Sequence, residues 1–407
     1  MPPTVQTAQA RSGELNLTEI PGGRWQRFLH SPWSMVLVGF LVRTLYIALA
    51  HSYRFRTTDD NFSFGWEIGR IAYSIASGHG FSSPFGGDTG PSAWTAPIYP
   101  FVVSLAFRLF GIYTHAASFA LLVFNSIFSA LTAWTVYRIA RRCFNETVAL
   151  WSGWMWALLP YIIYWSVRWV WETSLSTFLL SALFLLTLNM RGDDRLTSWF
   201  GYGVLWGVLG LSNPSALSFL PFAGLWLVWI LWLRNRRWFF PAVLGAVAFW
   251  LTLMPWLVRN YEVFHRVVFV RDNVGVELRC GNNPVAEGVW VGGYHPSQNL
   301  ALYRKFKQMG EAAYAAEQGR LVRQWIAENP HRFRVLTFRR LVFFWAGLPR
   351  LSKIKGLEQT KNSLFLASSV LALWGLGLAI KRRIHGVFLF ATLVVFYPLV
   401  YYVSFVH

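Results

Sequence analysis

The run PWSMVLVGFLVRTLYIALAH at residues 32–51, followed a few residues later by TTDDN at residues 57–61, decides how this chain is read. A stretch of about 20 mainly apolar residues, rising 1.5 Å each, is long enough to cross a hydrocarbon core, so residues 32–51 are expected to span a membrane. Asp59 and Asp60 then stand at the mouth of that span, in a chain with only 18 acidic residues. An acid pair in this position is the best candidate for chemistry, and the first loop is read as an active site that the remaining spans support.

Working outward, apolar runs recur along the whole length. Candidate spans are about 32–51, 116–137, 148–166, 172–190, 197–212, 215–233, 239–258, 363–380 and 386–405. The composition agrees: 55% of residues are hydrophobic and 18% aromatic, which is the profile of a polytopic membrane protein and not of a soluble core. Lys and Arg outnumber Asp and Glu by 37 to 18, for a net charge of +19. In a soluble protein that excess would suggest nucleic acid. Here much of it flanks apolar runs, where cytoplasmic orientation and anionic headgroups account for it, so no nucleic-acid partner is expected.

Parity settles the orientation. Residues 97–112 are short and carry Arg108, while 335–348 are interrupted by Arg339 and Arg340. With both lying flat or re-entering, the nine remaining spans put Arg24, Arg138, Arg142, Arg191, Arg234, Arg237 and Lys381 on one face, as the positive-inside pattern requires. The N-terminus is therefore expected in the cytoplasm and the C-terminus outside. Residues 1–31 are polar and contain Glu14 and Glu19, unlike a cleavable signal, so the first span is expected to stay as an anchor. The expected organisation is a cytoplasmic segment (1–31), a membrane core (32–258) with its catalytic first loop (52–115), a second extracytoplasmic loop (259–362) and a terminal hairpin (363–407). Cys143 and Cys280 fall on opposite sides, so no disulfide follows.

Within the first loop, Asp60 or Asn61 is expected to cap an interfacial helix whose apolar stripe is Phe64, Ile68, Ile71, Ala72 and Ile75, opposite Glu67, Arg70, Ser74 and Ser77. Asp60 is preferred over Asp59 as a general base that deprotonates an acceptor hydroxyl; the plainer reading is one capping and one solvated carboxylate. A sequon at Asn61 stands beside them and is taken as unused, since a glycan would obstruct the base. Arg168 and Glu172, four apart, would share a face if their turn is helical, and a lipid phosphate leaving group needs such a guanidinium; an arginine snorkelling in an aromatic belt is the equal alternative. Arg43, inside the first span, either bridges spans or reaches a buried phosphate. Arg259, Arg271 and Arg279 are further phosphate candidates. His51 and His79 have no metal-ligand spacing; no cofactor is required by these residues, and room is left for a divalent metal without a ligand set. Nucleotide-binding and nucleophile-elbow motifs are absent, so a donor already living in the membrane fits best.

The acid pair Asp59-Asp60, the stretch from Ala72 to Gly78-His79-Gly80-Phe81, Ala96-Pro97-Ile98-Tyr99-Pro100 leading to Leu109-Phe110-Gly111, Arg138 to Phe144, Pro255-Trp256 to Arg259-Asn260-Tyr261, Gly275 to Leu278 and Gly281-Asn282-Asn283-Pro284 together resemble the integral-membrane glycosyltransferases of the C-type (GT-C) fold. The resemblance is to the branch of protein O-mannosyltransferases, aminoarabinose transferases and their bacterial relatives. It implies an all-α polytopic fold with interfacial helices in the first loop, a bacterial plasma-membrane setting and a polyprenyl-phosphate sugar donor. It also implies a glycan, lipid or protein acceptor on the outer face, inversion at the anomeric carbon and Asp59 or Asp60 as base. His79 and Tyr99 belong to the matching motifs, and Glu172 matches an acidic position used near the acceptor or metal. Thr95-Ala96 stands where the aminoarabinose branch carries a charged Glu-Lys, so that donor is disfavoured. Relatives are expected to continue past Ser404 to His407 into further spans. The rival classes are a transporter or lipid-sugar flippase and a non-catalytic lipid binder; against transport stand the lack of an inverted repeat and an acid pair on a loop instead of at midplane.

Overall fold

The computed structural model describes residues 23–58, 62–348 and 355–405. Asp59, Asp60 and Asn61 lie outside the described residues. Among the described residues every regular element is helical, apart from an isolated bridge between Ser82 and Pro91. The short α1 (Arg24–His30) leads into α2 (Pro32–Leu49); α3 (Glu67–Ala76) and α4 (Ile98–Phe110) follow in the first loop. The bundle continues with α5 (His115–Cys143), α6 (Glu146–Leu158), α7 (Pro160–Arg168), α8 (Thr173–Asn189), α9 (Leu196–Ser212), α10 (Leu220–Leu233) and α11 (Phe239–Phe264). The second loop holds α12 (Val274–Gly281), α13 (Leu300–Met309), α14 (Glu311–Glu328) and α15 (Pro330–Ala346), and the chain closes with α16 (Lys355–Lys381), α17 (Val387–Phe396) and α18 (Leu399–Val403).

Among the described residues five helices are, by length and composition, able to cross a membrane: Pro32–Leu49, His115–Cys143, Pro214–Leu233, Phe239–Phe264 and Asn362–Lys381. The other four expected spans are shorter or broken. The run expected at 148–166 is split into α6 and α7 because Leu159 turns the chain (φ −64°, ψ 120°) ahead of Pro160, which has no N–H to give and disfavours helix before it. That break explains Arg43. The carbonyls of Ala157 and Trp156, freed at the end of α6, accept from its guanidinium at 2.7 and 3.3 Å, while Ser129 of α5 accepts at 3.1 Å. Arg43 is fully buried and joins α2, α5 and α6. Its guanidinium is spent on these groups.

Helix α5 is the centre of the bundle and tolerates close neighbours through buried small and hydroxyl residues, among them Ser126, Ser129, Thr132 and Thr135. Thr135 pairs with Ser181 of α8 at 2.7 Å, and Thr187 of α8 with Tyr202 of α9 at 2.8 Å. Helices α9 and α11 pack closely along their length. A Cβ at Gly203 would stand 2.0 Å from the carbonyl oxygen of Gly245, so only glycine permits this approach.

The first loop departs from expectation at its start. A 3-10 turn covers Phe62–Phe64, and α3 begins only after Trp66, whose φ is 43°. Phe64 leaves the helix but stays in the core, where its ring meets those of Phe55, Phe107 and Tyr113. Ser74, expected on the polar face, is buried against Ser82 at 2.5 Å. Arg108 donates to the Ile75 carbonyl at 2.9 Å, capping α3 from α4.

The second loop lies on the first. Glu311, at the start of α14, accepts from Ser92 Oγ at 2.6 Å and from the Ala93 N–H at 2.5 Å, and the Asp272 N–H donates to the Ala93 carbonyl at 2.9 Å. Phe85, Trp94, His295 and Phe306 pack edge to face between the loops. Val276, Cys280, Phe306 and Tyr314 continue the hydrophobic core of the first loop and bundle. Cys143 and Cys280 are separate buried thiols.

Candidate active site

Three helix starts and a loop arginine meet beneath this cover. Glu67 is the first residue of α3, Glu172 is the N-cap residue of α8, and Glu277 sits on α12, fixed by the Asn273 amide at 2.8 Å. Carboxylates at helix N-termini are favoured by the exposed N–H groups and the dipole there. Arg271 lies among all three and acts on each electrostatically; its Nε also donates to the Trp94 carbonyl at 3.2 Å. Tyr397 and Tyr401, whose hydroxyls are 3.3 Å apart, bring the C-terminal helices into the field of Glu172.

All these side chains are partly buried and keep some accessible surface. The surroundings are aromatic. Phe62 packs edge-on against Trp66, Trp169 and Trp171, and the Val170 N–H donates to the Ser63 carbonyl at 2.9 Å. Asn125 ties this turn to the bundle by donating to the Trp169 carbonyl at 3.0 Å and accepting from the Tyr99 hydroxyl at 2.7 Å.

Burial dominates the electrostatics. It pushes Glu67 up to about 7, with Glu277 adding to the rise and Arg70 and Arg271 opposing it. Glu172 and Glu277 are raised for the same first reason, against the pull of Arg271. His295, 3.9 Å from Glu67, is driven down to about 3 by burial and is neutral. A carboxyl held near neutrality can both take and give a proton at working pH. Arg279 Nη1 and Trp66 Nε1 are buried donors with no hydrogen bond among the described residues, the former on an arginine stacked over Tyr294 at 5.6 Å.

The raised acids imply a pH dependence of stability. Between about 4.5 and 7 the folded state holds the Glu67 proton that the unfolded chain has released, so stability falls as pH rises through that window, by about 3 kcal/mol. Glu311, pushed up to about 8 by burial, acts in the same direction to higher pH. Thermal unfolding of the full chain in micelles should therefore show a lower midpoint at pH 8 than at pH 5, and Glu67→Gln should narrow the gap; an unchanged gap would refute the assignment.

Of the side chains singled out from sequence, Glu172 and Arg271 lie in this cluster and Asp59 and Asp60 are outside the described residues. Arg168 and Glu172 do not share a helical face, because α7 stops at Arg168, Trp169 is extended (φ −136°, ψ 144°) and α8 starts at Thr173. Arg168 is exposed and stacks on Tyr164 at 5.4 Å. Arg259 holds the loops, donating to the Ser92 and Phe81 carbonyls at 2.6 and 2.9 Å and resting on Trp256 at 4.9 Å. Tyr99 is a buried strut and His79 an exposed tip. Among the described residues no group of three or more His, Cys, Asp or Glu is gathered to hold a metal ion. Glu67 and Glu277 were missed as site residues. Glu67 reads as part of an ordinary polar helix face, and Glu277 lies in the Gly275–Leu278 motif with nothing to mark its role.

No curated protein matches the chain. The family model described as dolichyl-phosphate-mannose-protein mannosyltransferase matches residues 94–258, from the end of the first loop through most of α11. Together with the all-helical architecture and its apolar spans, this match supports assignment of the chain to the C-type superfamily of membrane glycosyltransferases.

Proposed function

We propose that the protein transfers a sugar from a polyprenyl-phosphate donor to an acceptor hydroxyl on the extracytoplasmic face of a bacterial plasma membrane, with inversion. Asp60, or Asp59 beside it, takes the hydroxyl proton as the acceptor oxygen bonds to the anomeric carbon. The bond from that carbon to the phosphate oxygen breaks, and polyprenyl phosphate leaves with the electron pair. Arg271, which acts on all three acids, and Arg279, which has a buried donor with no hydrogen bond among the described residues, are the cations assigned to the leaving phosphate. Glu172, Glu67 and Glu277, clustered around Arg271, are assigned to the acceptor.

The observation that carries this reading is the convergence of four chain segments on one acid cluster: the first loop, the 169–172 turn, α12 and the C-terminal helices. Phe62, two residues after Asp60, packs on Trp169 and Trp171 next to Glu172. On this reading the first loop to about residue 115 carries catalysis, and residues 259–362 cover it.

The test is direct. Purified full-length protein is incubated with a panel of polyprenyl-phosphate sugars, and products are read by mass spectrometry. One donor should yield free polyprenyl phosphate and a glycosylated acceptor; movement of intact donors across a vesicle membrane with no cleavage of any would sink the proposal in favour of transport.

A further inference from the structure

A second charged constellation stands at the opposite end of the bundle, at the ends of α5, α8, α10 and α16. Arg191 Nη1 lies 3.1 Å from His385 Nδ1, and Arg234 Nη1 reaches the Arg191 carbonyl at 3.4 Å. Arg142 adjoins them through Cys143, whose Sγ is 3.5 Å from the Cβ position of Gly386. Burial and then Arg191, Arg142 and Arg234 hold His385 below its usual range, which places all three guanidinium groups within its field. Among the described residues none of these arginines is in an ion pair, and Asp193 nearby is engaged by Arg195 and Ser198. All three arginines are exposed at this end of the bundle and carry like charge, so an anion held among them is favoured.

Beside the cations an apolar groove of about 300 Å³ runs between α5, α8 and α17, lined by Ala140, Phe144, Leu180, Phe184, Phe390 and Leu393. Phe144 and Phe390 join the two features, their rings 6.0 Å apart. We propose that this corner binds one anionic phospholipid, its phosphate on Arg142, Arg191 and Arg234 and one acyl chain in the groove. A soluble phosphate would satisfy the cations and leave the groove open, and a neutral lipid would fill the groove and leave the cations repelling. Only an anionic lipid matches both. The site is separate from the acid cluster and does not depend on what that cluster does.

Native mass spectrometry of the full chain in micelles tests this with phosphatidylglycerol, phosphatidylcholine and inorganic phosphate as probes. Wild type should retain phosphatidylglycerol in preference to phosphatidylcholine, and millimolar inorganic phosphate should not displace it. Each arginine removed should weaken retention about fivefold, so the double variant Arg191→Gln with Arg234→Gln should lose about 25-fold. Leu393→Trp, which fills the groove, should weaken retention with the arginines intact. Equal retention by the double variant, equal binding of both lipids, or displacement by free phosphate overturns the proposal. If the double variant does not fold, Arg234→Gln alone decides, with fivefold as the expected loss.

Discussion

Asp60→Asn is expected to lower the rate of sugar transfer by a factor of about 10² to 10⁴ while leaving the thermal midpoint unchanged. The amide keeps the size of the side chain and cannot take a proton, and removal of a positioned general base costs a factor of that order. Asp59→Asn should cost less if Asp60 is the base. The measurement is the initial rate of polyprenyl phosphate release by the full chain in micelles. Glu67→Gln is the informative partner, because burial holds Glu67 at about 7, where it can also carry a proton. Loss of transfer in Glu67→Gln with transfer kept in Asp60→Asn would move the base from the acid pair to α3.

That contrast shows where sequence reading stops. The spanning runs were legible because length and apolarity are local properties, and five of them fold as helices long enough to cross a membrane. The interruption at Pro160 was written in the sequence but its use was not. Arg43 reads as an expensive charge in a span until the broken helix α6 offers it the Ala157 carbonyl. The acid cluster was the least legible part. Glu67, Glu172, Arg271 and Glu277 are far apart in the chain, and each alone resembles a helix-start carboxylate or a loop cation. Only the docking of the second loop onto residues 81–94 brings them together, and the contacts that do this are largely to backbone carbonyls and N–H groups, which leave no side-chain pattern to read.

Gly281→Ala is expected to destabilise the protein by about 3–5 kcal/mol and to abolish transfer with it. Gly281 ends α12, and a Cβ there would stand 1.8 Å from the Ser404 carbonyl oxygen, a backbone atom that cannot rotate away. Relief requires the C-terminal segment to move off α12. That segment is held by the Asn282 amide on the Val403 carbonyl at 2.9 Å and by Arg340, which donates to the carbonyls of Val403, Tyr402 and Gly281 and to Asn282 Oδ1. Arg340 is fully buried, so opening this cage leaves a charge without partners, and loss of one side of such an arrangement costs on the order of 3–5 kcal/mol. The same shift withdraws Tyr397 and Tyr401 from Glu172, which ties the structural loss to the acid cluster. Gly375→Ala on α16 is the control: nothing stands within 4 Å of its Cβ position, and alanine in a helix interior should be neutral or stabilising by up to about 1 kcal/mol. Thermal unfolding of both variants in micelles, with polyprenyl phosphate release measured beside it, decides the matter; a Gly281→Ala protein with wild-type midpoint and rate would show that the C-terminal helices neither brace the second loop nor shape the acid cluster.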